Sequence, residues 1–127
     1  MADQPPQFGS VTPTLRSFDE AMMREFYVDY LGFEITFEHR FGENFPLYVG
    51  LKRDDCELHL SEHHGDCSPG ARVRIHVAGL HNYWEILSKN DYRFAKPGKP
   101  ELQPWGDSEL TISDPFSNRL TFFETGA

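Results

Sequence analysis

The sequence LQPWG at Leu102–Gly106 precedes ELTISDP at Glu109–Pro115 and NRLTF at Asn118–Phe122. Together these segments predict a Pro/Gly-stiffened loop that carries an indole, then an alternating strand, an Asp-Pro turn and a second alternating strand. A large aromatic side chain on a rigid loop is a suitable surface for a flat ligand. The alternative is that Trp105 closes the end of a small core. The order of elements in the rest of the chain favours the ligand surface.

The composition of the 127 residues is typical of one globular domain, residues 1–127, with a single core. The eleven Phe, five Tyr and two Trp are a large aromatic load for this length, which indicates that some rings line a cavity or an interface. The net charge of −8 argues against nucleic acid and an anionic membrane surface as partners. It favours a cationic ligand, although solubility alone also explains an acidic composition.

Cysteine usage and the N-terminal sequence indicate a reduced compartment. Cys56 falls in a predicted strand and Cys67 in a polar loop, and two thiols without a Cys-x-x-Cys motif do not make a disulfide framework. The sequence has no basic-then-apolar signal pattern and no apolar run of membrane-spanning length. We therefore expect a cytoplasmic protein.

The first half of the chain predicts the order strand, helix, strand, strand, strand. The predicted elements are a strand at 11–17 that Pro13 interrupts, a helix from Asp19 to Gly32, and strands at 33–38, 47–53 and 56–61. Met22, Phe26 and Tyr30 recur every four residues and predict the buried stripe of the helix. The strand at 33–38 alternates strictly between apolar and polar residues, which predicts one buried face.

The second half repeats this order after an exposed linker at 63–70. The predicted elements are a strand at 72–77, a helix at 80–90 with Tyr83, Trp84 and Leu87 as its apolar stripe, a strand or turn beginning at 92–95, an irregular segment at 97–105 with strand near Glu101, and strands at 109–113 and 120–124. The fold class is therefore α+β, with two βαβββ modules, at about 10–64 and 71–125, and cupped mixed sheets. The concave sheet faces must be covered by a ligand, the other half or another subunit.

Four short motifs carry a family resemblance when they are taken in order. They are FYxxYLGF at Phe26–Phe33, ELHLSEH at Glu57–His63, QPWG at Gln103–Gly106 and DPxxNRL at Asp114–Leu120. With these motifs the chain, from about residue 11 to 124, resembles the glyoxalase/bleomycin-resistance superfamily, also called the vicinal oxygen chelate superfamily. Within it, the chain is most similar to the bleomycin resistance proteins.

The resemblance implies paired βαβββ modules and a homodimer with two ligand grooves between the subunits. It also implies exchange of a strand or arm near the N-terminus, for which Pro13 lies at the place of a hinge. A proline in a first strand is explained more simply by an edge position.

The resemblance further implies where a metal would bind, because enzymes of the superfamily hold a divalent ion with side chains from the first and fourth strands of each module. The corresponding positions are Thr12, His59, Arg72 and Thr121. Only His59 is a competent ligand, and Arg72 would repel a cation. One His is too little for Zn, Ni, Fe or Mn, so we expect no metal. A register that differs by one or two residues would instead bring in Arg74, His76 or Glu124, which leaves His59 and Glu124 as weak metal candidates.

Other chemical motifs receive little support. The donor-rich segment 62–66 has no zinc-site spacing and is typical of a solvated turn, and lone His39, His76 and His81 have the same simple interpretation. No nucleophile elbow or phosphate-binding glycine loop is present, and neither Cys has a basic neighbour in sequence. If an acid–base group exists, Glu62, His59 and Glu124 are the candidates, but we assign no catalytic residue.

The ligand-binding residues follow from the resemblance to proteins that stack the planar bithiazole of bleomycin between aromatic rings. By position, Trp105 and Tyr48 correspond to the two stacking rings, although Tyr48 is explained equally well as a strand residue packed on helix 80–90. The remaining predicted ligand-binding residues are Phe41, Phe45, His59, Ser61 and Glu62.

These observations predict a metal-free, homodimeric protein of the bleomycin resistance type. It would sequester bleomycin-like or other cationic aromatic compounds, and binding alone would give antibiotic resistance. The first alternative is a metal-dependent lyase, isomerase or dioxygenase of the same superfamily, with Zn, Ni, Fe or Mn as the divalent ion. The second is a protein of this fold that binds an ordinary metabolite.

Overall fold

Two βαβββ modules make up the computed structural model, which describes residues 4–40, 42–90, 92 and 95–126. The first module contains β1 (Thr14–Arg16), α1 (Glu20–Met23) with a π-helical continuation (Arg24–Tyr30), β2 (Glu34–His39), β3 (Tyr48–Arg53) and β4 (Cys56–Ser61). The second contains β5 (Arg72–His76), α2 (Leu80–Lys89), β6 (Glu101–Leu102), β7 (Ser108–Ser113) and β8 (Arg119–Glu124). The predicted α+β class with paired βαβββ modules is confirmed.

Each module forms one four-stranded mixed sheet. Sheet 1 has the order β1-β4-β3-β2 and sheet 2 the order β5-β8-β7-β6, so the first and fourth strands of each module lie side by side and run parallel. The other pairs are antiparallel. In β4, Leu58 and Leu60 are buried while Glu57 and His59 are not, because successive side chains of a strand alternate between faces. We call the side of each sheet that faces away from the helices its open face.

The helix of the first module begins and ends where the sequence predicts. The Asp19 carboxylate accepts the N–H of Met22 at 2.8 Å, and Gly32, at φ +87°, ends the helix in a backbone conformation that favours glycine. The predicted buried stripe was only partly right. Met23 and Tyr27 are buried and Met22 is half-buried, because the π-helical turns change the angle between successive side chains.

Helix α2 is capped by the last strand of its own module. Gly79 precedes the helix at φ +84° and has no side chain to cap it. The Glu124 carboxylate instead accepts the N–H groups of Gly79 at 2.9 Å and Leu80 at 3.1 Å. These two hydrogen bonds lower the pKa of Glu124. On the apolar side of α2, Tyr83 and Leu87 are buried, as predicted, and Trp84 is half-buried.

Three predicted segments differ in the structure. Strand β1 is shorter than 11–17, and Val11 is 86% exposed. Strand β2 contains a bulge between Ile35 and Phe37, which interrupts the strict alternation predicted for 33–38. At 92–95, Tyr92 is buried and belongs to no strand, while residues 93 and 94 lie outside the described residues.

One hydrophobic cluster contains buried residues of both modules. A polar network lies at its edge, where the Tyr27 hydroxyl donates to the Asp114 carboxylate at 2.6 Å across the two modules. Burial raises the pKa of Asp114 although four hydrogen bonds oppose the shift. Burial, together with the adjacent Asp114 charge, also raises the pKa of Tyr27. Within the described residues, neither helix has the length and apolar character of a membrane-spanning segment.

The Tyr27–Asp114 hydrogen bond gives a first prediction. Tyr27→Phe removes the donor from a buried carboxylate, and we expect it to lower the free energy of unfolding by about 1.5–3 kcal/mol in urea denaturation. Tyr30→Phe is the matched control, because the buried Tyr30 hydroxyl has no hydrogen-bond partner among the described residues. Equal losses in the two variants would contradict the assigned role of the hydrogen bond.

The capping of α2 gives a second prediction. Because the folded-state pKa of Glu124 is lowered from 4.5, its stabilisation is present above pH 4.5 and is lost as the pH falls through the folded-state pKa. We expect Glu124→Gln to lower the thermal midpoint at neutral pH, and the difference from the parent protein to shrink in acid. Thermal unfolding followed by circular dichroism measures this. Glu43→Gln, at an exposed loop position, should leave the midpoint unchanged at both pH values.

Candidate functional site

Three rings form an aromatic cluster on the open face of sheet 1: Phe37, Tyr48 and His59. Phe37 and Tyr48 are stacked, with ring centroids 6.0 Å apart and planes at 17°. The His59 ring meets both of them edge-on, at 5.2 Å from Phe37 and 5.3 Å from Tyr48. Phe37 remains 41% exposed, so the cluster presents an aromatic surface on the outside of the sheet.

Gly50 makes room for this cluster. It pairs with Phe37 in the ladder between β2 and β3 and with His59 in the ladder between β3 and β4. A Cβ atom at Gly50 would overlap the ring of Phe37. Glycine in a strand often marks such a close approach, so Gly50 is the sequence signal that could have identified Phe37. Sequence reasoning missed Phe37 because strict alternation placed it on the buried face with Ile35.

Hydrogen bonds hold the rings of Tyr48 and His59 in place. The Tyr48 oxygen lies 2.8 Å from His59 Nδ1 and 3.3 Å from the Thr14 hydroxyl. His59 Nε2 is buried without a hydrogen-bond partner among the described residues, and the nearest carboxylate oxygen, of Glu57, lies 3.5 Å away. The Glu57 carboxylate favours the His59 tautomer that carries its proton on Nε2, because the lone pair of an unprotonated Nε2 would be repelled by the carboxylate oxygen. Tyr48 then donates to Nδ1.

Ser61 and Glu62, two further predicted ligand residues, have local structural partners. The Ser61 hydroxyl donates to Asp66 at 2.6 Å and accepts the N–H of His63 at 3.0 Å. The Glu62 carboxylate accepts the N–H of Leu47 at 3.1 Å, which ties the end of β4 to the start of β3. These bonds position the edge of sheet 1. They give neither residue a partner within the aromatic cluster.

The two predicted phenylalanines belong to the loop before β3. Phe45 is 54% exposed, its ring lies against Gly42, and its carbonyl accepts a hydrogen bond from Arg40 at 3.0 Å. Phe41 lies outside the described residues. The loop therefore offers at least one exposed ring beside sheet 1.

Trp105 lies in the turn between β6 and β7, at the edge of sheet 2. The turn is closed by hydrogen bonds from the N–H of Gln103 to Asp107 O at 2.7 Å and from the N–H of Gly106 to Gln103 O at 2.9 Å. The side chain is 64% exposed, so the alternative that it closes the end of the core is wrong. Trp105 and Tyr48 thus belong to different sheets, and a ligand that stacks between them must contact both modules.

The open face of sheet 2 is polar around Arg74. The Arg74 guanidinium lies 2.8 Å from Glu109 and 3.6 Å from Asp107, and its central carbon is 4.4 Å from the centre of the Phe123 ring. Arg74 pairs with Thr121 in the ladder between β5 and β8. Around Arg74 this face therefore combines ion pairs with a cation–π contact, in contrast to the aromatic cluster of sheet 1.

The strand register shows which side chains lie opposite each other on the first and fourth strands of each module, where the sequence resemblance places a metal site. Thr14 lies opposite His59, and Arg74 opposite Thr121, so the predicted positions Thr12 and Arg72 are each two residues out of register. One imidazole, two hydroxyls and a guanidinium do not make a donor set for a divalent ion. Among the described residues, no group of three or more His, Cys, Asp or Glu side chains has metal-binding geometry. Glu124, the other weak candidate, caps α2.

A cavity of about 710 Å³ lies beside β5. Its walls include Ile75, Tyr83 and Phe122, and neither Tyr48 nor Trp105 lines it. Tyr48 lies on the open face of sheet 1 and Trp105 in the turn at the edge of sheet 2, so this cavity does not bring the two predicted stacking rings together.

Comparison with known proteins agrees with this architecture. A family model described as glyoxalase superfamily protein matches residues 5–127, so the chain belongs to the glyoxalase superfamily. The sequence resemblance is thereby confirmed. No curated protein matches the chain.

Several solved structures share the fold. A bleomycin-binding protein complexed with bleomycin has 23% identity over 93% of this chain and 99% of its own, with a TM-score of 0.71. The bleomycin-binding protein of the bleomycin producer Streptomyces verticillus, complexed with copper(II)-bleomycin, has 26% identity over 97% and 99%, with a TM-score of 0.70. A putative glyoxalase family protein from Bacillus anthracis has 18% identity over 96% and 98%, with a TM-score of 0.72.

The close approach at Gly50 gives a third prediction. Gly50→Ala forces the Phe37 ring away from the sheet, and we expect a changed near-ultraviolet circular dichroism spectrum and a loss of about 1–3 kcal/mol in the free energy of unfolding. Gly98→Ala is the control, because a Cβ there has no atom within 4 Å. A parent-like spectrum and stability for Gly50→Ala would mean that the cluster does not depend on this glycine.

Proposed function

We propose that this protein is a metal-free, homodimeric binding protein that sequesters flat, cationic aromatic compounds of the bleomycin type. The observation that carries the proposal is the exposed aromatic surface in two parts, the aromatic cluster of sheet 1 and the 64% exposed Trp105 of sheet 2. The likeness to two bleomycin-binding proteins supports it.

The rings can supply useful binding energy without any chemistry. Each aromatic pair contributes about 0.5–1.5 kcal/mol beyond the burial of its area. A cation over an indole such as that of Trp105 adds about 0.5–2 kcal/mol. The chain's net charge of −8 attracts a cationic ligand, which raises its local concentration. Added to the burial of the apolar area of the rings, these contributions bring the roughly 8 kcal/mol of a micromolar Kd within reach, and sequestration then needs no catalytic group.

A homodimer would bring the two parts of the surface together. Tyr48 and Trp105 lie on different sheets, and the chain exposes apolar side chains that a monomeric protein would ordinarily cover, such as Phe37 on the open face of sheet 1 and the 74% exposed Leu102 in the edge strand of sheet 2. The N-terminal segment adds Phe8, which is 97% exposed. An interface that pairs sheet 1 of one copy with sheet 2 of the other would cover these groups. Sedimentation equilibrium tests it, with a dimer as the expected species.

The residues at the corresponding strand positions, Thr14 and His59 in sheet 1 and Arg74 and Thr121 in sheet 2, argue for metal-free binding. Together they supply one imidazole, two hydroxyls and a guanidinium, which gives a divalent ion too few ligands. We therefore propose no metal-dependent step. Elemental analysis of protein purified without chelator should find no stoichiometric ion, and one that Thr14→Ala or His59→Ala abolished would refute the metal-free proposal.

Titration with bleomycin tests the proposed function and forms the fourth prediction. In a Trp84→Phe background Trp105 is the only indole of the chain, and we expect bleomycin to quench its fluorescence with a micromolar or lower Kd. Calorimetry should find binding at least about tenfold weaker for Trp105→Ala, because a stacking surface is lost.

Trp84→Phe is also the control for calorimetry, since Trp84 is half-buried and its indole N–H donates to the carbonyl of Pro97 at 3.0 Å. That variant should bind like the parent protein. If bleomycin and other cationic aromatic compounds leave Trp105 fluorescence unchanged, the sequestration proposal fails.

A further inference from the structure

Two arginines lie side by side at one end of the open face of sheet 2. Arg72 of β5 and Arg119 of β8 are direct partners in the parallel ladder, so their side chains leave the sheet on the same side. Phe122 lies three residues after Arg119 in β8, so the two side chains point to opposite faces of the sheet. Because Phe122 contacts Tyr83 of α2, both arginines lie on the face away from the helix. Both arginines are exposed.

This pair lacks the acidic partners that three other arginines have. Arg24, Arg40 and Arg74 each have a carboxylate oxygen within 3.0 Å. Neither Arg72 nor Arg119 has a side-chain partner among the residues that the structure describes. Like charges on directly opposed strand positions destabilise a sheet. An acidic group held between the two guanidinium groups would remove that repulsion.

The opposite end of the same face is acidic. Glu101 of β6 pairs with Glu109 of β7, and Asp107 lies in the turn that carries Trp105. Arg74 contacts both Glu109 and Asp107, which leaves Glu101 exposed beside the indole turn. Ser113, at the far end of β7, pairs with Arg119. Six residues of strand at ~3.3 Å each separate the two ends by about 17 to 20 Å.

We propose that Arg72 and Arg119 bind an acidic group of the ligand, so that the ligand is amphoteric: it has a flat, cationic aromatic end at Trp105 and a carboxylate or similar oxyanion at the far end of sheet 2. The proposal rests on the proposed function, because it takes Trp105 as the aromatic subsite. The guanidinium fork matches a carboxylate with two parallel N–H···O bonds, and two such forks on adjacent strands converge on one oxyanion.

A series of two-ended probes tests the site. The probes are pyrenedecanoate, its neutral primary amide and the corresponding pyrenedecyl-trimethylammonium, which share the flat ring and the chain and differ in the charge at the far end. Binding is measured by energy transfer from Trp105 to pyrene in the Trp84→Phe background. The variant is Arg72→Gln/Arg119→Gln. The matched control is Lys89→Gln/Lys99→Gln, which removes the same charge at exposed positions outside sheet 2.

We expect the carboxylate to bind at least about tenfold more tightly than the amide, since two charge-assisted hydrogen-bonded pairs are worth at least that factor. The Arg72→Gln/Arg119→Gln variant should lose this preference and bind the amide as the parent protein does. The control should keep the preference. The preference should also fall as salt is raised, because exposed charges are screened.

Other outcomes overturn the acid site. Equal binding of carboxylate and amide by the parent protein refutes it while leaving the aromatic subsite intact. If the Arg72→Gln/Arg119→Gln variant no longer forms a dimer in sedimentation but keeps the preference for the carboxylate, the arginines bind acidic groups of a second copy and the acid site is refuted. Failure of all three probes to accept energy from Trp105 refutes the proposed function together with the site.

Discussion

The arrangement of the two modules depends on one buried carboxylate. Asp114, in the turn between β7 and β8, accepts hydrogen bonds from the Tyr27 hydroxyl at 2.6 Å and from the Asn118 amide at 2.8 Å, and also from two backbone N–H groups. The Asn118 amide donates as well to the carbonyl of Arg16 in β1, at 2.8 Å. A carboxylate in the interior is costly unless its oxygens are satisfied, so Tyr27 of the first module stabilises this turn of the second.

The open faces of both sheets are turned away from the core. The reason is that the helices and the buried sides of both sheets pack together in one hydrophobic cluster. An aromatic cluster occupies one of them, and the other carries ion pairs and two arginines, with Trp105 in the turn at the edge of its sheet. Tyr48 and Trp105 belong to different sheets, and neither lines the cavity beside β5. Because packing within the chain leaves these rings exposed, and exposed apolar surface is ordinarily covered by a partner, the proposed dimer would cover them and form the ligand groove.

Much of the fold could be predicted from local patterns. Asp19, Gly32 and the strand periodicity of 56–61 and 109–113 mark elements that depend mainly on near neighbours in sequence. The exposed position of Trp105 agrees with its Pro/Gly-stiffened turn. Phe37 could not be assigned in this way, because a bulge at Thr36 moves it to the other face. The metal-site positions in β1 and β5 were two residues out of register for a similar reason: no local signal sets the pairing of parallel strands that are distant in sequence.

The sequence by itself determined the repeated order of strand, helix and three strands, since hydrophobic period, helix caps and turn residues act over a few neighbours. It also determined the family. Only the tertiary structure decided which side chains meet: Phe37 with Tyr48 over Gly50, His59 with Thr14, and Arg72 with Arg119. These pairs depend on the register between strands that are far apart in the chain, and that register is set by packing of the whole core.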